Sequence, residues 1–524
     1  MHPFEKRLTL VIIAAVLGVG GTPAEARILR AASGADLQSQ TGRLVAGDTL
    51  LVAAGNYDVS TWNIAGLSGT ANAWIVIRAD GKAVIRGTSG CCNLVQMSNV
   101  SYVKLAGFEI TMRDTFSGID GVNLRGSQNH YIEFDSLYIH DMTNVGIGMW
   151  PDSADHITLR NTQICNNYGS GLYWGYPGRN IIHDVLIENN YIHHCPKDPL
   201  LDTHYGIQWK GWCYRAIIRN NVLHDVGGAT RCGIVVYYGR KPLAGDDPAD
   251  INIVRGNILW NCRNEGITAM SDALIENNIV FDAGVGINLQ TYGDESFTGS
   301  NAVEHLTVRN NTVFRCRSAC MAISGWSSAG AQVSVTGNAL YQDAAGKTAV
   351  SGSIGAAIAR ANIVFGASSL GQGAAAGRGL NDFASVNATA AVPALDFYPS
   401  SGSSLVNCST DATIFALQDF NQTARPQGNG YDAGAYERTA EGNPGWAVIE
   451  GFKSSGAPNP GSVRLALRGP AKPASASSLC VVVSSARPRD HLDAMGRTIN
   501  AATIPSAAGI EISHHARTAA GDLK

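Results

Sequence analysis

The chain is short of charge. Of its 524 residues 15% are Asp, Glu, Lys or Arg, and aromatic rings make up only 7%. A net charge of −3 gives no global attraction to nucleic acid or to an anionic membrane. No hydrophobic stripe of 3.6-residue period runs through the sequence, which argues against a helical bundle. No CxxC pair is present to suggest a structural zinc site. The one long apolar run is LTLVIIAAVLGVGG, residues 8–21, too short to span a bilayer comfortably. It follows Lys6 and Arg7 and precedes Ala24-Glu25-Ala26, the layout of a cleavable export signal. Residues 1–26 are thus expected to be removed. The mature protein, starting at Arg27, is expected to be secreted or periplasmic, monomeric and without a membrane span.

Glycine, by contrast, is plentiful at 59 residues, which with so little charge points to many tight turns. The eleven cysteines are an odd number, so at least one is unpaired within the chain. Cys195, Cys262 and Cys316 each fall five residues after a repeated Asn and read as small buried hydrophobes. Export permits disulfides, and Cys213 with Cys232 is the pair expected to bridge.

One phrase recurs along the chain. VLIENNYIHHC leads to HYGIQW, AIIRNNVLHDV to RCGIVVYY, and INIVRGNILWNC to EGITAM; ALIENNIVFDAGVGINLQ and LTVRNNTVFRCRSACMAIS repeat the frame. It consists of a strand, an Asn-containing turn, a short Ile/Val strand, a polar corner, then Gly-Ile and a third strand. The last Asn of each turn is Asn190, Asn221, Asn257, Asn278 and Asn311, so the spacing is elastic while the motif is constant. Such a coil cannot bury its own apolar face, but stacked coils can. The fold class is therefore all-β, a single-stranded right-handed parallel β-helix spanning residues 27–440. The repeated Asn residues are expected to form an internal ladder. Ser33 to Thr41 reads as a short helix plugging the first edge. Residues 441–524 read as a linker and a C-terminal extension.

The opening GRLVAGDTLLVAAGNYDV and the closing DFNQTARPQGNGYDAGAYE resemble the first coil and the last phrase of secreted β-helix proteins of the pectate-lyase-like superfamily. The chain is broadly similar to the chondroitinase B and alginate lyase group within it. That resemblance implies action on an acidic polysaccharide by β-elimination with a Lys or Arg base, often with calcium at the sugar carboxylate. The group's local motifs are absent. So are the Gly-His-Gly and Arg-Ile-Lys signatures of polygalacturonases, the Asp-Pro-His-Asp motif of mannuronan epimerases and the Trp-Ile-Asp-His signature of pectate lyases.

Alternation along the strand after each Gly-Ile places Ile207 and Trp209 inward and gives two outward columns. One is Asn123, Gly148, Tyr173, Gln208, Val235, Thr268, Asn288; the other is Arg125, Trp150, Gly175, Lys210, Tyr237, Met270, Gln290. Neither holds an acid. Rings stack on sugars, amides bond hydroxyls, and Arg or Lys grips carboxylates, so Arg125, Trp150, Tyr173, Gln208, Asn288 and Gln290 are candidate substrate contacts, with Arg240 from the next loop. By role, Lys210 would be the base, desolvated to lose its proton; Arg231 would neutralise the carboxylate, and Tyr237 or His204 would be the acid. Asp202 and Glu265 are the candidate calcium ligands. Two other readings stay open: a rod that only binds glycan, and a glycoside hydrolase, which would need two carboxylates facing each other across the groove.

Overall fold

The computed structural model describes residues 25–453 except 89–92, 115–117, 177–179, 199–203, 238–250, 291–304, 325–331, 354–357, 390–391, 393 and 442–447; beyond 453 it describes only 491–492 and 498–499. Most of the expected export signal, Asp202, Arg240 and the extension past 453 lie outside the described residues. No helix among those described is long and apolar enough to cross a membrane.

The chain winds as a right-handed parallel β-helix with three strands per turn. A 24-stranded parallel sheet carries two strands from each coil, and a 12-stranded sheet carries the third. One coil shows the plan: Trp212–Arg219 on the first face, Val222–Val226 on the second, Ile234–Tyr237 on the third. Inward side chains stack coil upon coil. Ile187, Ile218, Val254, Ile275, Val308 and Val335 form one such column in continuous register, each buried and each worth roughly 1.5–3 kcal/mol of transfer free energy.

The turn between the first two faces explains the repeated Asn-Asn and Gly-Asn pairs. Its first residue is left-handed, with φ of 52° at Asn189, 56° at Asn220, 54° at Asn277, 63° at Gly256 and 59° at Gly337. Asn and Gly are the residues that tolerate this conformation. The second residue is the ladder Asn, fully buried. Each donates from Nδ2 to the Oδ1 of its counterpart one coil on, at 2.9 Å from Asn190 to Asn221, 2.9 Å from Asn221 to Asn257 and 3.0 Å from Asn257 to Asn278. The series continues through Asn311 and Asn338 to Asn362. The same Oδ1 also accepts the backbone N–H of the preceding ladder residue. Cys195, Cys262 and Cys316 are buried free thiols, as the repeat register implies.

The helix Gly34–Thr41 covers the first coil. Ser33 caps it by accepting the Asp36 N–H, Leu37 is fully buried beneath it, and Thr41 accepts the indole N–H of Trp62. At the other end the parallel ladder stops at Ala374–Ala376. Residues 377–453 fold back along the outside of the second face. Phe397 packs on Phe281 and Phe314, Phe383 on Tyr341, and the Tyr341 hydroxyl donates to Asp382. The closing phrase forms a buried hub here. Arg425 donates to Glu437, to Asn277 Oδ1 and to the Gly434 carbonyl, and Asp419 accepts the Glu437 N–H.

The Cys213–Cys232 bridge does not form; both thiols are free. Cys213 lies on a strand of the first face, its Sγ against the Lys210 carbonyl, whereas Cys232 packs at the entry to the third face beside Val235 and Tyr237. Different faces separate them.

Because each ladder Asn takes part in several buried hydrogen bonds, removing one strands donors and acceptors in two coils at once. Asn257→Ala leaves the Asn221 amide, the Ile218 carbonyl and Asn278 Oδ1 short of a partner. At about 1–3 kcal/mol for each stranded group, the expected loss is about 4 kcal/mol, read as a fall in the urea midpoint. A change under about 1 kcal/mol would contradict a structural ladder.

Candidate functional site

The outer surface of the third face follows the expected columns. Pairing runs Asn123, Gly148, Tyr173, Gln208, Val235, Thr268, Asn288 from strand to strand, and Tyr237 opposes Met270 in the neighbouring column. The pleat makes this inevitable: Ile147, Leu172, Ile207 and Ile234 point to the core, so their neighbours point out.

The columns divide into three contacting groups. At one end Arg125 lies 4.5 Å over the Trp150 ring, which meets Tyr173 edge-on at 5.6 Å. Burial pushes the Arg125 guanidinium below its ordinary pKa and raises the Tyr173 phenol. Toward the exit edge Lys210 is buried with Nζ 5.1 Å from the Tyr237 ring. At the entry edge Arg231 stands 5.7 Å over Tyr205, and burial together with Arg231 holds the adjacent His204 imidazole below its ordinary value. Gln208 sits between the two edges.

Four polar atoms on this face are buried and lack a hydrogen-bond partner among the described residues: Asn123 Oδ1, Trp150 Nε1, Gln208 Oε1 and Thr268 Oγ1. A folded interior rarely leaves such groups unpaired. Here they lie on the two outward columns, closed off from solvent beneath their neighbours.

The expected catalytic set is thus only partly brought together. Lys210 meets Tyr237, and His204 meets Arg231, but Lys210 and Arg231 stand at opposite edges of the sheet. Asn288 reaches the Glu265 carboxylate at 3.4 Å and Gln290 the Met270 sulfur at 3.3 Å. Glu265, raised by burial, lies at the entry edge.

A third column lies three residues upstream of the first; its Tyr205 and Glu265 are corner residues of the sequence reading, but Asp120 went unread. It runs Asp120, Val145, Ser170, Tyr205, Cys232, Glu265: the backbone N–H of the glycine after each member donates to the carbonyl of the next, and Val145 N–H also donates to Asp120 Oδ1. Asp120 is buried beneath Gly148. It accepts from Asn123 Nδ2 at 2.6 Å and from Asn144 Nδ2 at 2.7 Å, and desolvation pushes its carboxyl up to about 6. A Cβ on Gly148 would sit 2.7 Å from Asn123 Nδ2 and 2.9 Å from Asp120 Oδ2, so glycine there lets the acid and its amide partner pack against the next coil. Five coil steps of about 4.8 Å separate Asp120 from Glu265.

Comparison with known proteins agrees on fold. The family model described as "Right handed beta helix region" matches residues 93–247, and that described as "Periplasmic copper-binding protein (NosD)" matches residues 197–360. No curated protein matches the chain. Among solved structures, an alginate lyase from Paenibacillus sp. is 21% identical over 57% of this chain and 94% of its own, with a TM-score of 0.39. The pectate lyase Pel9A is 16% identical over 79% and 96%, at 0.47. A lacto-N-biosidase from Eubacterium ramulus is 12% identical over 65% and 68%, at 0.46. Two lyases and a biosidase leave the chemistry to be argued from the residues.

A carboxyl raised by burial binds its proton more tightly folded than unfolded. Its stabilising share is full below its ordinary value of 3.8 and is lost as pH rises through about 6. Asp120→Asn should therefore melt higher than wild type near neutral pH, by on the order of 2 kcal/mol, with the advantage shrinking toward about pH 4. Melting curves across that range test this; a pH-independent difference would show that Asp120 does not titrate there.

Proposed function

We propose that the chain is an exported enzyme that lays an acidic, uronate-containing polysaccharide along its third face and cleaves it by β-elimination. The observation that carries this reading is the set of cations paired with rings along that face: Arg125 with Trp150, Lys210 with Tyr237 and Arg231 with Tyr205. Rings accept sugar faces, and the cations select carboxylates.

Elimination requires a neutralised carboxylate, a base for the C5 proton and an acid for the leaving oxygen. A sugar ring over Gln208 would lie between the two edge groups. Arg231 would face its carboxylate from the entry edge, and Lys210 would take the C5 proton from the exit edge. His204 is held below its ordinary value by burial and by Arg231 and stands at the other edge, so the Tyr237 phenol beside Lys210 is the better-placed acid. Glu265, with Asp202, remains the carboxylate set for a calcium ion. Among the described residues, the spacing of the two acids of the third column disfavours hydrolysis by that pair. Asp120 and Glu265 stand about 24 Å apart at 4.8 Å per coil, against the roughly 5–10 Å that glycosidases use.

The test is ultraviolet absorbance of the unsaturated uronate formed from alginate, pectate, chondroitin, hyaluronan and glucuronan, with calcium and with chelator. Wild type should generate the chromophore on at least one polymer. Lys210→Ala should lower the rate by 10²-fold or more, and Tyr237→Phe by a comparable factor, both melting as wild type does. New reducing ends without the chromophore would indicate a hydrolase. Retention on a polymer without cleavage would indicate a binding rod.

A further inference from the structure

A second cluster of chemically capable side chains lies on the second face, away from the columns of the groove. The strands Tyr191–Cys195 and Val222–Val226 are adjacent there, with His193 paired to His224. The residue after each, His194 and Asp225, takes the left-handed corner conformation, with φ of 51° and 50°. The corner residues of neighbouring coils therefore stack on one another. Elsewhere in this corner column the stack closes as an ion pair, as Arg315 does with Asp282. Between residues 194 and 225 it instead assembles imidazoles and a carboxylate.

We propose that His194, His224 and Asp225 bind a divalent transition-metal ion of the borderline class that includes Zn2+ and Cu2+. One donor atom from each lies within 4.8 Å of the others. Two imidazoles and a carboxylate suit such an ion and not calcium or magnesium, which prefer all-oxygen shells. Metal ligands are usually oriented by a further partner, and each ligand here has one. The Tyr191 hydroxyl lies 2.7 Å from His224 Nε2, leaving Nδ1 as the ligand atom beside Asp225 Oδ2. His193 Nδ1 lies 2.9 Å from His194 Nδ1, leaving Nε2 to face Asp225 Oδ2 at 4.0 Å. Asn261 holds Asp225 Oδ1 by its side-chain amide, directing Oδ2 to the histidines.

Ligand atoms around a tetrahedral ion at about 2.0–2.1 Å stand about 3.4 Å apart. The longest span of the cluster has to tighten by about 1.4 Å to reach this, and the 2.6 Å contact of His224 Nδ1 with Asp225 Oδ2 has to open by about 0.8 Å. The tightening falls on His194, whose side chain is 49% exposed, and the opening on the Asp225 carboxylate, at 33%, because His224 is held at 3%. The exposed side leaves a fourth position for water or an exogenous donor. On binding, the proton shared between His224 Nδ1 and Asp225 moves to His224 Nε2, which then donates to the Tyr191 oxygen.

The test uses tag-free, chelator-stripped full-length protein titrated with Zn2+ by calorimetry and with Co2+ by visible absorption. One ion per chain should bind, and Co2+ should show the intense bands of four-coordination. His194→Ala and Asp225→Asn should each weaken binding by 30-fold or more and abolish the bands. Asn261→Ala, which touches no ion, should weaken it by 10- to 100-fold. His156→Ala, on the first face, should bind as wild type does. Melting curves confirm that every variant folds. Absence of stoichiometric Zn2+ or Co2+ binding, or binding unchanged in His194→Ala and Asp225→Asn, would overturn the proposal.

Discussion

From Asn190 to Asn362 the rod hangs on the asparagine ladder. A stacked coil buries the turn between its first two faces, and a buried turn carries amides and carbonyls that no strand can satisfy. One Asn per coil answers both needs. Its Oδ1 accepts a backbone N–H and an amide from one coil, and its Nδ2 reaches the backbone carbonyl of that coil, as Asn257 does with Ile218. The bond geometry admits no slip. Rungs separated by 21, 33 or 36 residues close at the same distances, because variable chain length is expelled to the corners. With the register pinned on one side of the rod, the alternation of the other two faces follows.

That is why the outer columns of the third face were legible from sequence. Gly-Ile marks the start of the strand, the pleat supplies the rest, and pairing of Tyr173 with Gln208 and of Gln208 with Val235 needs no further information. The limits have equally physical causes. Asp120 lies immediately before the motif glycine, where corner and strand merge, and its packing depends on a glycine one coil away. Lys210 and Arg231 look close in sequence, but the width of the strand divides them. The thiols of Cys213 and Cys232 end on different faces because an elastic corner intervenes. His194 and Asp225 occupy corner positions, whose stacking depends on insertion lengths that the repeat does not specify.

The C-terminal segment solves a different problem. Trp260, Phe281, Phe314 and Tyr341 form an apolar stripe on the outside of the second face, where a free rod would expose it. Residues 377–453 cover it, and the buried Arg425–Glu437 pair ties the cover to Asn277 in the rod. Lys453 ends the described cover with bonds to Asn220, Gly256 and the Phe420 carbonyl. A buried ion pair of this kind contributes little net stability but strongly penalises any other docking position.

The ladder also gives the rod a polarity. Every rung donates its amide forward, from Asn190 to Asn221 and onward to Asn362, whose Nδ2 meets the Gly373 carbonyl. At the first rung Asn190 Oδ1 receives the N–H of Thr162. Seven side-chain dipoles therefore point the same way, each polarising the next. From Asn190 to Asn362 each coil thus presents the next with one forward-facing side-chain amide besides its strand groups, and the Gly373 carbonyl is where that succession terminates.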